Sequence, residues 1–251
     1  MSRLILHNAR LLDPASGLDR PGGLLLENGR IVALLPVDAP LPEGPRLDAG
    51  GLCAAPGLVD SRAASAGSPE ERAAAGITAI VGPSETGPVT LGGAGRELAA
   101  YGLFSRQGIK VLSDGAPGGG NDALWTQALS YAALRGLPVH VLPFDQSFAA
   151  MGPAGAGELA TRLGLGGLPA AAESLAVSRF CALARMTGCP VHLGPLTTRA
   201  GLEVLREAKA AGAPVTADTA LPYALLNSLA VQDFDASASV WPPLREEEDR
   251  L

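Results

Sequence analysis

The sequence predicts an α/β protein, a partial or truncated TIM-type (β/α) barrel with a small β-sandwich segment at its N-terminus. Three observations predict it. Short apolar runs separated by turn residues fill the first 50 positions. From there on, nearly all-apolar strands alternate with helical stretches, the pattern of a parallel sheet covered by helices. The alternation yields six strand candidates (about residues 56–60, 77–81, 109–112, 139–142, 191–193 and 215–217), where a closed barrel has eight. The chain is therefore divided into a β segment, 1–50, and a barrel segment, 51–251, that lacks its last strands.

Each element has a local reason. Leu4–Leu6, Leu11–Leu12, Gly23–Leu26 and Ile31–Leu35 are apolar runs bounded by Asp13-Pro14-Ala15-Ser16-Gly17, Arg20-Pro21-Gly22 and Asn28-Gly29. Asn28-Gly29 between two such runs is a hairpin signal, because both residues tolerate positive φ. Ile77–Val81 reads as a strand stopped by Gly82-Pro83, and Leu91–Gln107 as a helix ended by Gly108. Ile109–Leu112 is the next strand, followed by a Gly-rich loop at Gly118-Gly119-Gly120. Asn121 or Asp122 caps a helix that stops at Gly136. Pro169–Thr187 is amphipathic, with Ala176, Val177, Phe180, Leu183 and Ala184 on one face. Val191–Leu193 and Val215–Ala217 are strands around a helix over Thr198–Ala211, and Leu221–Leu229 is a short helix.

Composition narrows the function classes. The chain has 251 residues, 47% apolar but only 4% aromatic, so its core is built from Ala, Leu and Val. A net charge of −6 with no Lys/Arg cluster argues against a nucleic-acid surface. Cys53, Cys181 and Cys189 are odd in number and form no Cys-x-x-Cys, which fits reduced thiols. No apolar run reaches the roughly 20 residues of a membrane span, and the N-terminus turns polar too soon for a signal peptide. These features predict a cytoplasmic protein.

The motifs, taken in order, resemble the dihydroorotases of the amidohydrolase superfamily. Asn8-Ala9-Arg10, Asp13-Pro14-Ala15-Ser16-Gly17 and Glu27-Asn28-Gly29-Arg30-Ile31-Val32 are similar to that family's N-terminal strands. Pro56-Gly57-Leu58-Val59-Asp60 resembles the lead-in to its first barrel strand, and Ala73-Ala74-Ala75-Gly76-Ile77-Thr78 its next helix–strand junction. Ser113-Asp114-Gly115, Leu165-Gly166-Gly167-Leu168-Pro169-Ala170, Val191-His192-Leu193-Gly194-Pro195, Ala213-Pro214-Val215-Thr216-Ala217-Asp218 and Pro242-Pro243-Leu244-Arg245 continue the match. The resemblance implies a cyclic amide hydrolase of pyrimidine biosynthesis. Such an enzyme holds one or two zinc ions, which lower the pKa of bound water to about 7 and polarise the scissile carbonyl.

Carried over position by position, the resemblance implies a lost site. The family's two strand-one histidines fall on Arg62 and Ala64, just after Asp60. Its Asp-Asp pair falls on Ser113 and Asp114. The strand-four His-x-Glu-Asp motif falls on Leu142 to Asp145, the second strand-five His on Pro195, and a substrate-binding Asn on Trp241. Asp218 stands where the family carries Glu, and the strand-eight Asp lies past Leu251. Asp60, Arg62, Ala64, Ser113, Asp114, Leu142, Asp145, Pro195, Asp218 and Trp241 are thus expected to be vestigial positions, with no catalytic residue, no metal ligand and no cofactor. Arg62 is read as a guanidinium facing solvent or a carboxylate, or else neutralising Asp60, Asp114 or Asp218 in place of a dication.

Of the three histidines, His7 is read as strand packing, His140 as lying near a strand start, and His192 as a buried residue bonded to backbone. The run Arg245–Arg250 reads as a solvated helix start. The resemblance implies a dihydroorotase-like pseudoenzyme that partners the aspartate carbamoyltransferase catalytic subunit and forms an oligomer, without nucleic acid or membrane. The rival readings are an active metal-dependent cyclic amidohydrolase using His140, His192, Asp114, Asp145 or Asp218, and a gene fragment or truncated chain with open sheet edges.

Overall fold

A computed structural model describes residues 3–61, 68–104, 106–115 and 121–250 of the chain. It divides into two compact units, Met1–Val81 and Gly82–Leu251.

In the first unit β1 (Arg3–Asp13), β2 (Leu18–Glu27) and β3 (Arg30–Leu35) form an antiparallel meander. β4 (Arg46–Asp48) and β5 (Cys53–Ala54) add to β1 in parallel, giving one five-stranded sheet. Asn28 (φ 52°) and Gly29 (φ 76°) make the β2–β3 hairpin in the left-handed conformation read from the sequence. The β1–β2 turn is closed by Asp13, whose carboxylate accepts from the Ala15 N–H and the Ser16 hydroxyl. β1 bulges between Leu6 and Ala9, where Asn8 has φ 56°. Ile5, Ala9 and Leu11 are buried along β1. A separate parallel pair follows: β6 (Leu58–Asp60), helix α1 (Pro69–Ala74) and β7 (Ile77–Ile80). α1 begins in a capping box in which Ser68 and Glu71 satisfy each other's backbone N–H.

The second unit is built on a parallel sheet of β8 (Thr86–Gly87), β9 (Val111–Leu112), β10 (Val139–Val141), β13 (Val191–Leu193) and β14 (Val215–Ala217), in the order β14-β13-β10-β9-β8. Its helices are α2 (Tyr101–Phe104), α3 (Asp122–Leu134), α4 (Glu158–Leu163), α5 (Ala171–Thr187), α6 (Arg199–Ala210) and α7 (Leu221–Leu225). A small parallel pair, β11 (Ala154–Gly155) and β12 (Gly167–Leu168), stands apart. α5 packs against both α3 and α6. The face read from its periodicity is the buried one: Ala176, Val177, Phe180 and Ala184 are each fully buried, and Leu183 packs against them. Phe180 meets Trp125 of α3 edge-to-face at 4.9 Å. Asn121 caps α3 through the Leu124 N–H, Thr198 caps α6 through Gly201 N–H, and Gly188 (φ 70°) ends α5.

Two expectations are corrected here. Residues 91–107 do not form one helix: a 3₁₀ turn at Leu91–Gly93 and the short α2 take its place. Gly92, Gly93 and Gly95 adopt positive φ, which a right-handed helix cannot accommodate. Arg245 is not part of a solvated helix start; its side chain is buried, and only Glu247–Asp249 form a helical turn. Among the described residues, no helix is long and apolar enough to cross a membrane.

Candidate functional site

The polar face of the parallel sheet carries one row of side chains across three strands. His140, at the centre of β10, is in register with His192 of β13, which is in register with Thr216 of β14. Side chains alternate along a strand. Val139, Val141, Val191 and Leu193 are buried in the core, while the two histidines occupy the opposite face and are only part-buried. Their rings lie 4.6 Å apart. His192 Nδ1 and Thr216 Oγ1 share a hydrogen bond of 2.8 Å, and His192 Nε2 lies 3.2 Å from Asp218 Oδ2. His192 is thus engaged by side chains rather than by backbone as its motif implied. Asp218 comes this close because residue 194 is Gly: a Cβ there would stand 1.7 Å from Asp218 Oδ1. An imidazole hydrogen-bonded to a hydroxyl, with a carboxylate 3.2 Å from its other nitrogen and a second imidazole beside it, can accept and pass a proton.

Within the second unit, Asp114, Ser113 and Asp145 direct their functional groups to other partners. Asp114 holds its own loop: Oδ1 accepts from the N–H groups of Val89 (2.7 Å) and Thr90 (2.9 Å), and Oδ2 from the Thr90 hydroxyl (2.7 Å). Ser113 Oγ accepts from Gly115 N–H. Asp145 caps the turn after β10, accepting from Ser147 N–H at 2.9 Å and from Arg179 Nη2 at 2.8 Å. Bonding to Ser147 first, and the Arg179 guanidinium after it, hold the Asp145 carboxyl below the usual carboxylate range. Leu142 is buried in a small apolar cluster with Phe144, Leu168 and Ala172. Pro195 follows β13, and the half-exposed Trp241 rests edge-on against Phe144. Asp60 ends β6 in the first unit. Arg62 and Ala64 lie outside the described residues.

A buried polar cluster was missed in the sequence. Glu173 of α5 is only 2% exposed, yet its carboxylate accepts four hydrogen bonds, from the N–H and hydroxyl of both Thr197 and Thr198, at 2.7–3.0 Å. Arg245 lies beside it, donating to Thr197 Oγ1 and to the Leu168 carbonyl. Burial pushes the Glu173 carboxyl up, against the pull of its donors, and pushes the Arg245 guanidinium down. The signal was there in Pro242-Pro243-Leu244-Arg245, a matching motif whose Arg was then grouped with the charged run after it.

The fold defines the class of protein, a partial TIM-type (β/α) barrel with an N-terminal β segment. The chain superposes on the L-hydantoinase of Arthrobacter aurescens with a TM-score of 0.69 at 19% identity, over 100% of this chain and 65% of that one. No family model matches the chain. Among curated relatives, a dihydroorotase of Geobacter sp. (strain M21) is 33% identical over 98% of this chain and 67% of its own length. A "dihydroorotase-like protein" of Pseudomonas aeruginosa matches equally, at 33%, 98% and 67%. The chain belongs to the dihydroorotase family. It spans about two thirds of the length of these relatives. The alignment with the Geobacter protein runs over 288 positions although this chain has 251 residues, so the relatives carry residues inside the matched stretch that are missing here.

Membership corrects one expectation. The prediction of no cofactor does not stand, because the dihydroorotase family to which the chain belongs is metal-dependent. The described side chains do not by themselves fit such an ion. No group of three or more His, Cys, Asp or Glu among the described residues is arranged to hold one.

Proposed function

We propose that this member of the dihydroorotase family is a pseudoenzyme of pyrimidine biosynthesis that acts as a structural or regulatory partner of the aspartate carbamoyltransferase catalytic subunit. The observation that carries the reading is the employment of the remaining site carboxylates. Asp114 is occupied by Val89 and Thr90, and Asp145 by Ser147 and Arg179, so both serve the scaffold. Apolar side chains at Leu142, Pro195 and Trp241 offer no lone pair to a substrate or an ion. A scaffold kept in order while two of its site carboxylates, Asp114 and Asp145, serve the loops around them is what an assembly role requires.

A second reading rests on the His192–Asp218 pair with His140 beside it. These are the groups a divergent cyclic amidohydrolase would use to move a proton. One experiment separates the two. The purified chain is assayed for dihydroorotate hydrolysis with and without added zinc, then mixed with the transcarbamoylase catalytic subunit on a size-exclusion column. The pseudoenzyme reading expects turnover at the buffer level under both conditions and a shared peak. Zinc-dependent turnover that disappears in His192→Ala would establish the second reading instead.

A further inference from the structure

A cavity of about 310 Å³ lies within the second unit, between β11 and α4 on one side and residues 228–244 on the other. Its wall is apolar: Leu159, Leu163, Val231, Phe234 and Leu244 face it. Three polar residues interrupt that wall, Ser228, Asp235 and Ser239, and of these only Ser228 is buried. Ser228 is 95% buried, lines the cavity, and its Oγ has no hydrogen-bond partner among the described residues. Its backbone is fixed by a 2.7 Å bond from Ser228 N–H to the Arg245 carbonyl, next to the buried Glu173–Arg245 cluster. None of the vestigial positions of the second unit (Ser113, Asp114, Leu142, Asp145, Pro195, Asp218 and Trp241) lines this cavity.

A buried hydroxyl left unpaired is costly, roughly 1–3 kcal/mol, and apolar pockets with a few placed polar groups are the usual form of a small-molecule site. We propose that this cavity is a binding site for a neutral medium-chain amphiphile, its chain against the leucines and its single polar head hydrogen-bonded to Ser228 Oγ. Size fixes the length. A cavity of about 150 Å³ takes benzene, so twice that volume takes a molecule of roughly ten to twelve heavy atoms. Charge fixes the head group. Asp235 lines the mouth, and its carboxyl is held below the usual range by Ser237 N–H, so it is an anion that repels a carboxylate ligand. The site does not depend on the family's reaction, so it stands whether or not the chain hydrolyses dihydroorotate.

The test is a chemical-shift titration of the ¹⁵N-labelled full chain with octanamide, which has about ten heavy atoms and a neutral head. Saturable shifts are expected at Ser228, Ala236 and their neighbours, with octanoate binding several-fold more weakly. Ser228→Ala is expected to weaken octanamide by roughly 3–10-fold, the value of one neutral hydrogen bond. Ala236→Trp is exposed at the mouth, so it can fill the cavity without disturbing the core, and it is expected to abolish saturation. No saturable shift in the wild-type chain, undiminished binding to Ala236→Trp, or equal affinity for Ser228→Ala would each overturn the proposal.

Discussion

Glu173 and Arg245 are joined through a single hydroxyl: Thr197 Oγ1 donates to the carboxylate at 2.7 Å and accepts from the guanidinium Nε at 3.3 Å. These residues are 72 positions apart, and through them the start of α5, the loop after β13 and the C-terminal segment are fixed to one another. A polar network this deep contributes through completeness, since each buried group depends on the others for its hydrogen bonds.

Glu173→Ala is therefore expected to lower unfolding stability by roughly 3–5 kcal/mol in urea titrations at pH 7, because it strands two N–H groups and a guanidinium in the interior. Arg245→Met keeps the apolar stem and leaves Glu173 its four donors, so it is expected to cost less, roughly 2–3 kcal/mol. The double variant should fall well short of the sum, since both substitutions break one network. Additive losses would mean that the two residues act separately.

Asp114 is the carboxylate that a catalytic reading would value most, and its contacts assign it to the loop at Val89 and Thr90. Asp114→Ala removes three accepted hydrogen bonds and is expected to lower stability by roughly 2–3 kcal/mol. The wild-type rate of dihydroorotate hydrolysis should not change. A rate that drops on this substitution, measured on the fraction that remains folded, would return Asp114 to the reacting groups.

Asp145 gives a pH dependence with a defined sign. Its folded-state pKa is depressed by Ser147 and Arg179, so its contribution is fully present above the ordinary carboxylate value near 4. That contribution is lost as the pH falls through the lower folded value. Asp145→Asn is expected to cost roughly 1–3 kcal/mol at pH 7 and to become nearly neutral toward about pH 2. Urea midpoints of both chains at pH 7, 4 and 2.5 check it, and parallel curves across that range would show that the ion pair contributes nothing.

What the sequence disclosed follows from how local each feature is. The Asn28-Gly29 hairpin, the Asn121 cap and the buried stripe of α5 depend on neighbours within a few residues, and the structure has them where the pattern put them. The predicted helix over 91–107 failed because apolar spacing said nothing about three glycines at positive φ or about Asp114 taking the N–H groups of Val89 and Thr90. The site was legible by position and not by contact. His140 and His192 could be seen on two strands, but strand register alone decides that they are neighbours. Arg245 read as surface because charge next to charge usually is surface, and only its distant partners Glu173 and Thr197 make it interior.

Gly194 sets the distance between His192 and Asp218. A methyl group at this position would overlap Asp218 Oδ1 at 1.7 Å and Cγ at 2.7 Å, so the carboxylate has to rotate away while the strand can stay in place. Gly194→Ala is accordingly expected to cost only about 0.5–1.5 kcal/mol, the price of one displaced rotamer. It should nevertheless move the His192 Nε2 resonance in ¹⁵N spectra, because that nitrogen loses the oxygen now 3.2 Å away. Nδ1, bonded to Thr216 on the other side of the ring, should keep its shift. Asp218→Asn provides the control, changing the charge beside Nε2 without adding a methyl. If Gly194→Ala leaves Nε2 unmoved, the carboxylate is not what Nε2 senses, and the His192–Asp218 pair is proximity without interaction.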